Sequence, residues 1–265
     1  MLKEYEKYIN GPDFIFVGPL KSATSTLLKT LKLSGLKVPL SNEIYFHSKD
    51  FSTNFDGPYD KAKKKIWTCR WNENEYDKFY KTNNISAEVA TDYFHHPEDF
   101  LRSVARLKTK PKIIVSYRNP IDRSLSQYKH MLIKGHEWLS LEKAVKFTEG
   151  RLLSGYRWGY DYLTPSNYSQ FITFWKNNFD TYIFNFENYK KSPINEINKL
   201  SQWMNIDLVN KKIHINKKNP KLFNFFKNFN SLDRSEIEEK LFVAKRWCNN
   251  VYGDYFEKCK LNLYD

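Results

Sequence analysis

Two short segments gather hydroxyl and cationic side chains at close spacing. The first is Gly18-Pro19-Leu20-Lys21-Ser22-Ala23-Thr24-Ser25-Thr26, which places four hydroxyls and one ammonium within six residues. The second runs from Ile113 to Tyr128, where Arg118-Asn119-Pro120 is followed by Ser126 eight residues after the arginine. Both are suited to holding phosphate-like anions. A loop that leads into a helix turns its free N–H groups and the positive end of the helix dipole toward an anion. Lys21 adds a full charge, and Ser22, Thr24, Ser25 and Thr26 add donors. Arg118 offers a planar fork of donors suited to a phosphate, with the Ser126 hydroxyl on the same stretch.

The elements that must position these residues follow from the apolar pattern. Phe14-Ile15-Phe16-Val17 is a short apolar run ending at Gly18, and it predicts a buried strand. Leu27, Leu28 and Leu31 then recur at helical spacing. A second unit begins at Lys112: Ile113-Ile114-Val115 is β-branched, and Ser116-Tyr117-Arg118 carries the strand to its end. Asn119 fits an N-cap and Pro120 the first helical position, so a helix is expected through about Lys134, stopping at Gly135. Asn119 and Ser126 are seven residues apart and share one face of that helix. A third strand is expected at Tyr182–Phe186, with Glu187 at its end and a helix from about Ser192 to Met204. Alternating strands and helices predict an α/β fold with a central, mainly parallel sheet flanked by helices. Ligands bind beyond the carboxyl ends of the strands in such sheets, where both loops lie.

Size and charge limit the alternatives. The chain has 265 residues, enough for a single α/β domain over 1–265, and 41% hydrophobic residues supply a core. Lysine and arginine number 43 against 30 acidic residues, a formal charge of +13 that favours anionic partners. A Lys-, Asn-, Tyr- and Phe-rich coding background accounts for that excess equally well, so charge alone selects nothing. The first ten residues are polar and no apolar run is long enough to span a membrane, so a cytoplasmic protein is expected. Cys69, Cys248 and Cys259 have no metal-ligand spacing; free thiols are expected, although Cys248 and Cys259 are close enough in sequence to pair.

The first loop is not the nucleoside-triphosphatase P-loop, which needs Gly-Lys-Ser/Thr. Here no glycine precedes Lys21, and no acidic strand end stands ready for magnesium. The loop resembles instead the 5′-phosphosulfate loop of sulfotransferases that use 3′-phosphoadenosine 5′-phosphosulfate (PAPS). The Arg118-to-Tyr128 string resembles the 3′-phosphate signature of the same family, closest in pattern to its heparan-sulfate and carbohydrate-type members. The resemblance covers roughly residues 12 to 205. It implies a P-loop-like sulfotransferase architecture and PAPS as sulfuryl donor without a metal. It implies that Lys21 stabilises the departing nucleotide, that Ser22, Ala23, Thr24, Ser25 and Thr26 line the 5′-phosphate, and that Arg118 and Ser126 hold the 3′-phosphate. Ala23 stands where many members have glycine.

The resemblance also supplies acceptor-side candidates. Asn42-Glu43-Ile44-Tyr45-Phe46-His47 is similar to the family stretch that holds the general base, which makes Glu43 the first candidate and His47 the second; the plain structural readings are a Glu43 that caps or bridges a helix and a His47 that sits in the core. Glu88-Val89-Ala90-Thr91-Asp92-Tyr93-Phe94 resembles the next segment, where Glu88 and Tyr93 would face the acceptor; Asn42 and Val89 replace lysines common in relatives. Lys217 and Lys218 fall in a segment similar to the loop that closes over the nucleotide, though a solvated lysine run reads much the same. Tyr156-Arg157-Trp158-Gly159-Tyr160 has the composition to stack Arg157 and Trp158 on a sugar, and equally to pack a helix end. The implied acceptor is a carbohydrate or glycolipid hydroxyl or amine, with no nucleic acid and no membrane span; the oligomeric state is not specified. Three other readings make different predictions. A P-loop kinase would need magnesium and ATP, a basic nucleic-acid-binding protein would bind in a salt-sensitive way, and a sulfotransferase fold without catalysis would bind nucleotide and turn nothing over.

Overall fold

The computed structural model describes residues 8–39, 44, 46–48, 71–156, 158–208 and 234–258. Glu43, Arg157, Lys217, Lys218, Cys69 and Cys259 lie outside these described residues, as does the side chain of Trp158. The sheet is built from β1 (Phe14–Gly18), β2 (Ala87–Val89), β3 (Lys112–Tyr117) and β4 (Thr181–Asn185). Its order is β2-β1-β3-β4 and every pairing is parallel, as the alternation of strands and helices predicts. From β1 the chain passes through α1 (Thr24–Leu33) and α2 (Glu73–Tyr80) to β2 on one side. It then returns across β1 through α3 (Pro97–Val104) to β3 on the other. The direction of winding therefore reverses between β1 and β3, and a crevice opens there beyond their carboxyl ends.

Helices cover both faces of the sheet. Ile15, Val17, Ile113 and Val115 pack with Phe100 and Val104 of α3 and with Phe171, Ile172 and Trp175 of α7 (Tyr168–Asn178). The opposite face joins Phe14, Phe16, Ile114 and Phe184 to Leu27, Leu28 and Leu31 of α1. Each fully buried side chain of this size contributes about 1.5–3 kcal/mol relative to exposure. A strand with helices on both sides has no solvent face, which explains why β1 and β3 read as continuous apolar runs.

The second unit folds as its residues dictate. The helix α4 (Pro120–Ile133) starts at Asn119, whose side-chain oxygen accepts the Asp122 N–H at 3.2 Å, with Pro120 at the first helical position. Lys134 caps its far end, and Gly135 follows with φ +65°. Tyr128, Met131 and Leu132 of α4 pack with Leu141 and Ala144 of α5 (Leu141–Lys146), Tyr160, Tyr162, and Ala244 and Cys248 of α10 (Arg234–Lys258). Cys248 is a buried free thiol, which burial pushes up to about 12.

Two elements depart from the periodicity. The third strand occupies Thr181–Asn185 rather than Tyr182–Phe186, because the Asn185 side chain accepts the N–H groups of Glu187 and Asn188 at 3.0 and 3.1 Å. A helical turn therefore opens inside the aromatic run as α8 (Phe186–Lys191), before the expected helix α9 (Pro193–Met204). β2 is only three residues long with Glu88 at its centre, so no apolar run marks it. Among the described residues no helix is long and apolar enough to cross a membrane.

Candidate active site

The first loop runs from the end of β1 to the start of α1. Gly18 has φ +101°, and a Cβ there would lie 2.8 Å from the Thr91 carbonyl oxygen and 3.0 Å from its Cα. Only glycine accepts both that conformation and that approach. Lys21 and Ala23 also adopt positive φ, +69° and +77°. Left-handed conformations in non-glycine residues cost about 1–2 kcal/mol each, and such strain gathers at ligand-binding loops.

The loop is held by its carbonyls, each of which has a donor. The Ser22 hydroxyl donates to the Pro19 carbonyl. Arg123 Nη1 donates to Leu20 at 3.3 Å, Arg118 Nη1 to Lys21 at 2.7 Å, and the Ser116 hydroxyl to Ser22. The Ala23 carbonyl accepts the N–H groups of Thr26 and Leu27, both at 3.0 Å. With its carbonyls occupied, the loop has the N–H ends of α1 and the Lys21 ammonium left for an anion. No acidic residue stands in the first turn of α1, and no side chain caps it.

The predicted donors divide into two sets. Ser22 is fully buried and its hydroxyl is spent inside the loop, so it shapes the cradle from below. Ser25 is exposed, while Thr24 and Thr26 are half-buried at the open helix end. Ala23 supplies backbone only, as the residue immediately before α1.

The second segment meets the first. Besides its bond to the Lys21 carbonyl, Arg118 stacks over the Phe186 ring at 5.3 Å, and its Nε is buried without a hydrogen-bond partner. An orphaned buried donor on an arginine fork fits a site built for an anion. Carboxylates are near as well: Asp122 and Glu187 both act on the Arg118 charge, and Glu187 accepts the Asn119 N–H at 3.2 Å. Ser126 is half-buried on α4. Burial, then Arg118, Lys134 and Arg123, lower the Lys21 ammonium to about 8. Crowding of cations around one lysine is unfavourable unless an anion joins them.

Arg123 plays a structural part. Arg123 is fully buried and donates to Gln127 Oε1 at 2.6 Å and the Tyr162 carbonyl at 2.7 Å, as well as to Leu20. It therefore braces the loop from behind, and its i, i+4 spacing from Gln127 was the available signal. Lys134 and Tyr168 were missed too. Tyr168 accepts the Arg118 N–H at 3.3 Å from 50 residues away, and no local spacing announces such a contact.

The acceptor-side candidates that are described lie in the interior, His47 among them as a core histidine. His47 is buried, with Nδ1 2.8 Å from Ser103 Oγ and Nε2 2.9 Å from the Tyr76 hydroxyl. Glu88 and Tyr93 are fully buried and bonded to each other at 2.6 Å. These three residues form an interior network rather than an open acceptor wall.

Comparison with known proteins agrees with this architecture. A solved sulfotransferase from Alicyclobacillus acidocaldarius superposes with a TM-score of 0.70 at 22% identity, covering 90% of this chain and 97% of that one. Mouse sulfotransferase SULT7A1, complexed with PAP, matches with a TM-score of 0.48 at 14% identity, covering 94% and 89% of the two chains. The sulfotransferase domain from the curacin biosynthetic pathway matches with a TM-score of 0.45 at 13% identity, covering 88% and 91%. No curated protein sequence matches the chain significantly. The family model described as the sulfotransferase domain matches residues 11–260, nearly the whole chain and both anion-holding segments, and the chain therefore belongs to the sulfotransferase family.

Proposed function

We propose that this enzyme transfers the sulfuryl group of PAPS to a hydroxyl or amine of a carbohydrate or glycolipid acceptor. The observation that carries the donor half is the 2.7 Å bond from Arg118 to the Lys21 carbonyl, which joins the two anion-holding segments at the crevice between β1 and β3. The residues present suit a nucleotide with phosphates at both ends. The Thr24, Ser25 and Thr26 end of α1 holds the 5′-phosphate, with the Lys21 ammonium at the bridging oxygen. The Arg118 fork and the Ser126 hydroxyl hold the 3′-phosphate, and the family resemblance adds Lys217 and Lys218 as a closing pair.

In the transfer, the acceptor oxygen or nitrogen forms a bond to sulfur while the bond from sulfur to the bridging oxygen breaks. The acceptor proton passes to Glu43, and the charge that develops on the phosphate is neutralised by Lys21. His47 is less suited to the base role than Glu43, since both of its ring nitrogens are engaged inside the protein. The aromatic segment from Tyr156 to Tyr160 supports a sugar-like acceptor by composition alone.

The Lys21 ammonium gives this reading a pH signature. It is charged below about 8 and neutral above, and only the charged form attracts phosphate. Affinity for 3′-phosphoadenosine 5′-phosphate (PAP) is therefore expected to hold between pH 7 and 8 and to fall as pH rises through 8 toward 9.5. Lys21→Arg removes that decline, because a guanidinium keeps its proton throughout this range. Calorimetric titration at three pH values measures both. A wild-type affinity that stays flat to pH 9.5 takes Lys21 out of the phosphate site.

A further inference from the structure

Glu88 lies at the centre of β2, opposite Ile15 of β1, fully buried and with no ion pair among the described residues. A carboxylate in such a place is costly, and burial pushes it up to about 7 despite two tyrosine hydroxyls that hold it lower. The Tyr76 hydroxyl donates to Oε2 at 2.8 Å and the Tyr93 hydroxyl to Oε1 at 2.6 Å. Each tyrosine oxygen then receives a contact from His47. The main-chain N–H of His47 donates to Tyr93 at 3.1 Å, and its Nε2 lies 2.9 Å from Tyr76.

We propose that Glu88 is a positioning residue for sulfuryl transfer, which as a carboxylate fixes both the backbone and the ring of His47 and so holds the turn beginning three residues after Glu43. The catalytic consequence rests on Glu43 being the base. Tyr76 has one O–H, and the carboxylate takes it. The bond between Tyr76 and His47 must then carry its hydrogen on Nε2, which leaves Nδ1 to accept from Ser103 at 2.8 Å. The carboxylate thereby selects the Nε2–H tautomer of His47 through an intervening tyrosine. Four elements meet in the chain: α2 through Tyr76, β2 through Glu88, α3 through Ser103 and the 3-10 turn Tyr93–His95 through Tyr93. The short turn Phe46–Ser48 is anchored at their meeting point.

Protonation of Glu88 disturbs this arrangement in either of its forms. A hydrogen on Oε1 displaces the Tyr93 O–H, whose other partner is itself a donor. A hydrogen on Oε2 turns the Tyr76 O–H toward His47 and forces the opposite tautomer, with Nδ1–H directed at Ser103. The titratable groups facing Glu88 are Tyr76 and Tyr80 from α2 and Tyr93 from its turn, with Asp92 beside Tyr93 and His47 beyond Tyr76. β1 contributes apolar Ile15. Among the described residues no cation touches the carboxyl to hold it ionised.

Two measurements on the full-length protein test the proposal. In the first, histidine rings are labelled with 15N and the His47 signal is assigned by its loss in His47→Gln. The wild type should show the Nε2–H tautomer at pH 8.5 and move toward Nδ1–H as pH falls through 7. In the second, PAP release from PAPS is followed with a pool of unsulfated oligosaccharides and with water alone. Glu88→Gln should lower kcat about 10- to 100-fold with an unchanged KM for PAPS; the wild-type rate is expected to fall as pH drops through 7, and the variant should lack that dependence. An Nδ1–H tautomer in the wild type at pH 8.5 overturns the proposal, and so does a wild-type kcat in Glu88→Gln. If that variant does not fold, the wild-type tautomer and rate profile decide. A wild type that fails to bind PAP contradicts the donor assignment instead, and the tautomer result stands apart from it.

Discussion

Lys21→Ala is expected to reduce sulfuryl transfer by about 100- to 1,000-fold, the usual effect of removing one group that stabilises developing charge. In the proposed transfer, charge accumulates on the bridging oxygen as the bond to sulfur breaks, and Lys21 is the cation assigned to meet it. The surroundings enlarge the effect. Burial and three neighbouring cations already depress the ammonium to about 8, so it interacts with a phosphate in a poorly solvated site rather than in bulk water. PAP affinity should fall as well, by less than the rate, since Arg118 and the helix end remain. Steady-state PAP release and calorimetry separate the two effects. Equal losses in affinity and rate would mean that Lys21 only binds, and wild-type activity would remove it from the chemistry.

Glu43→Gln is expected to lose about 100- to 10,000-fold in kcat, the range for removing a positioned general base, while PAP binds as in the wild type. The substitution keeps the shape of the side chain and removes its ability to take a proton. Binding should survive because the segments proposed to hold the nucleotide are Gly18–Thr26 and Arg118–Ser126. Retained turnover would transfer the base role to another group. With both His47 ring nitrogens committed inside the protein, a second carboxylate would then be the place to look.

The legible part of this molecule was local in sequence. The strand before Gly18, the Asn119 cap, Pro120 and the stop at Gly135 each depend on residues within a few positions, and each stands where the pattern puts it. The unread part depends on partners far along the chain. Arg118 reaches the Lys21 carbonyl across 97 residues and Arg123 reaches Leu20 across 103, so nothing local reveals that the two segments are joined through carbonyl oxygens. Ser22 shows the same limit: a hydroxyl in a hydroxyl-rich loop reads as a donor to ligand, yet its direction is inward. His47 was legible as a core histidine, whereas Glu88 was legible as a chemistry-bearing type but not as a buried one. Polarity in a three-residue strand points to the surface, and only the tyrosines that α2 and the Tyr93–His95 turn bring in make the interior position tolerable.

The most direct test of the central claim is calorimetric titration of the purified protein with PAP, without added metal, beside ATP and the Arg118→Ala variant. A dissociation constant on the order of micromolar is expected for PAP and none comparable for ATP. Binding should be about 10- to 100-fold weaker in Arg118→Ala, the cost of losing one charge-assisted arginine contact. No binding at millimolar PAP, or equal binding by the folded Arg118→Ala variant, would contradict it.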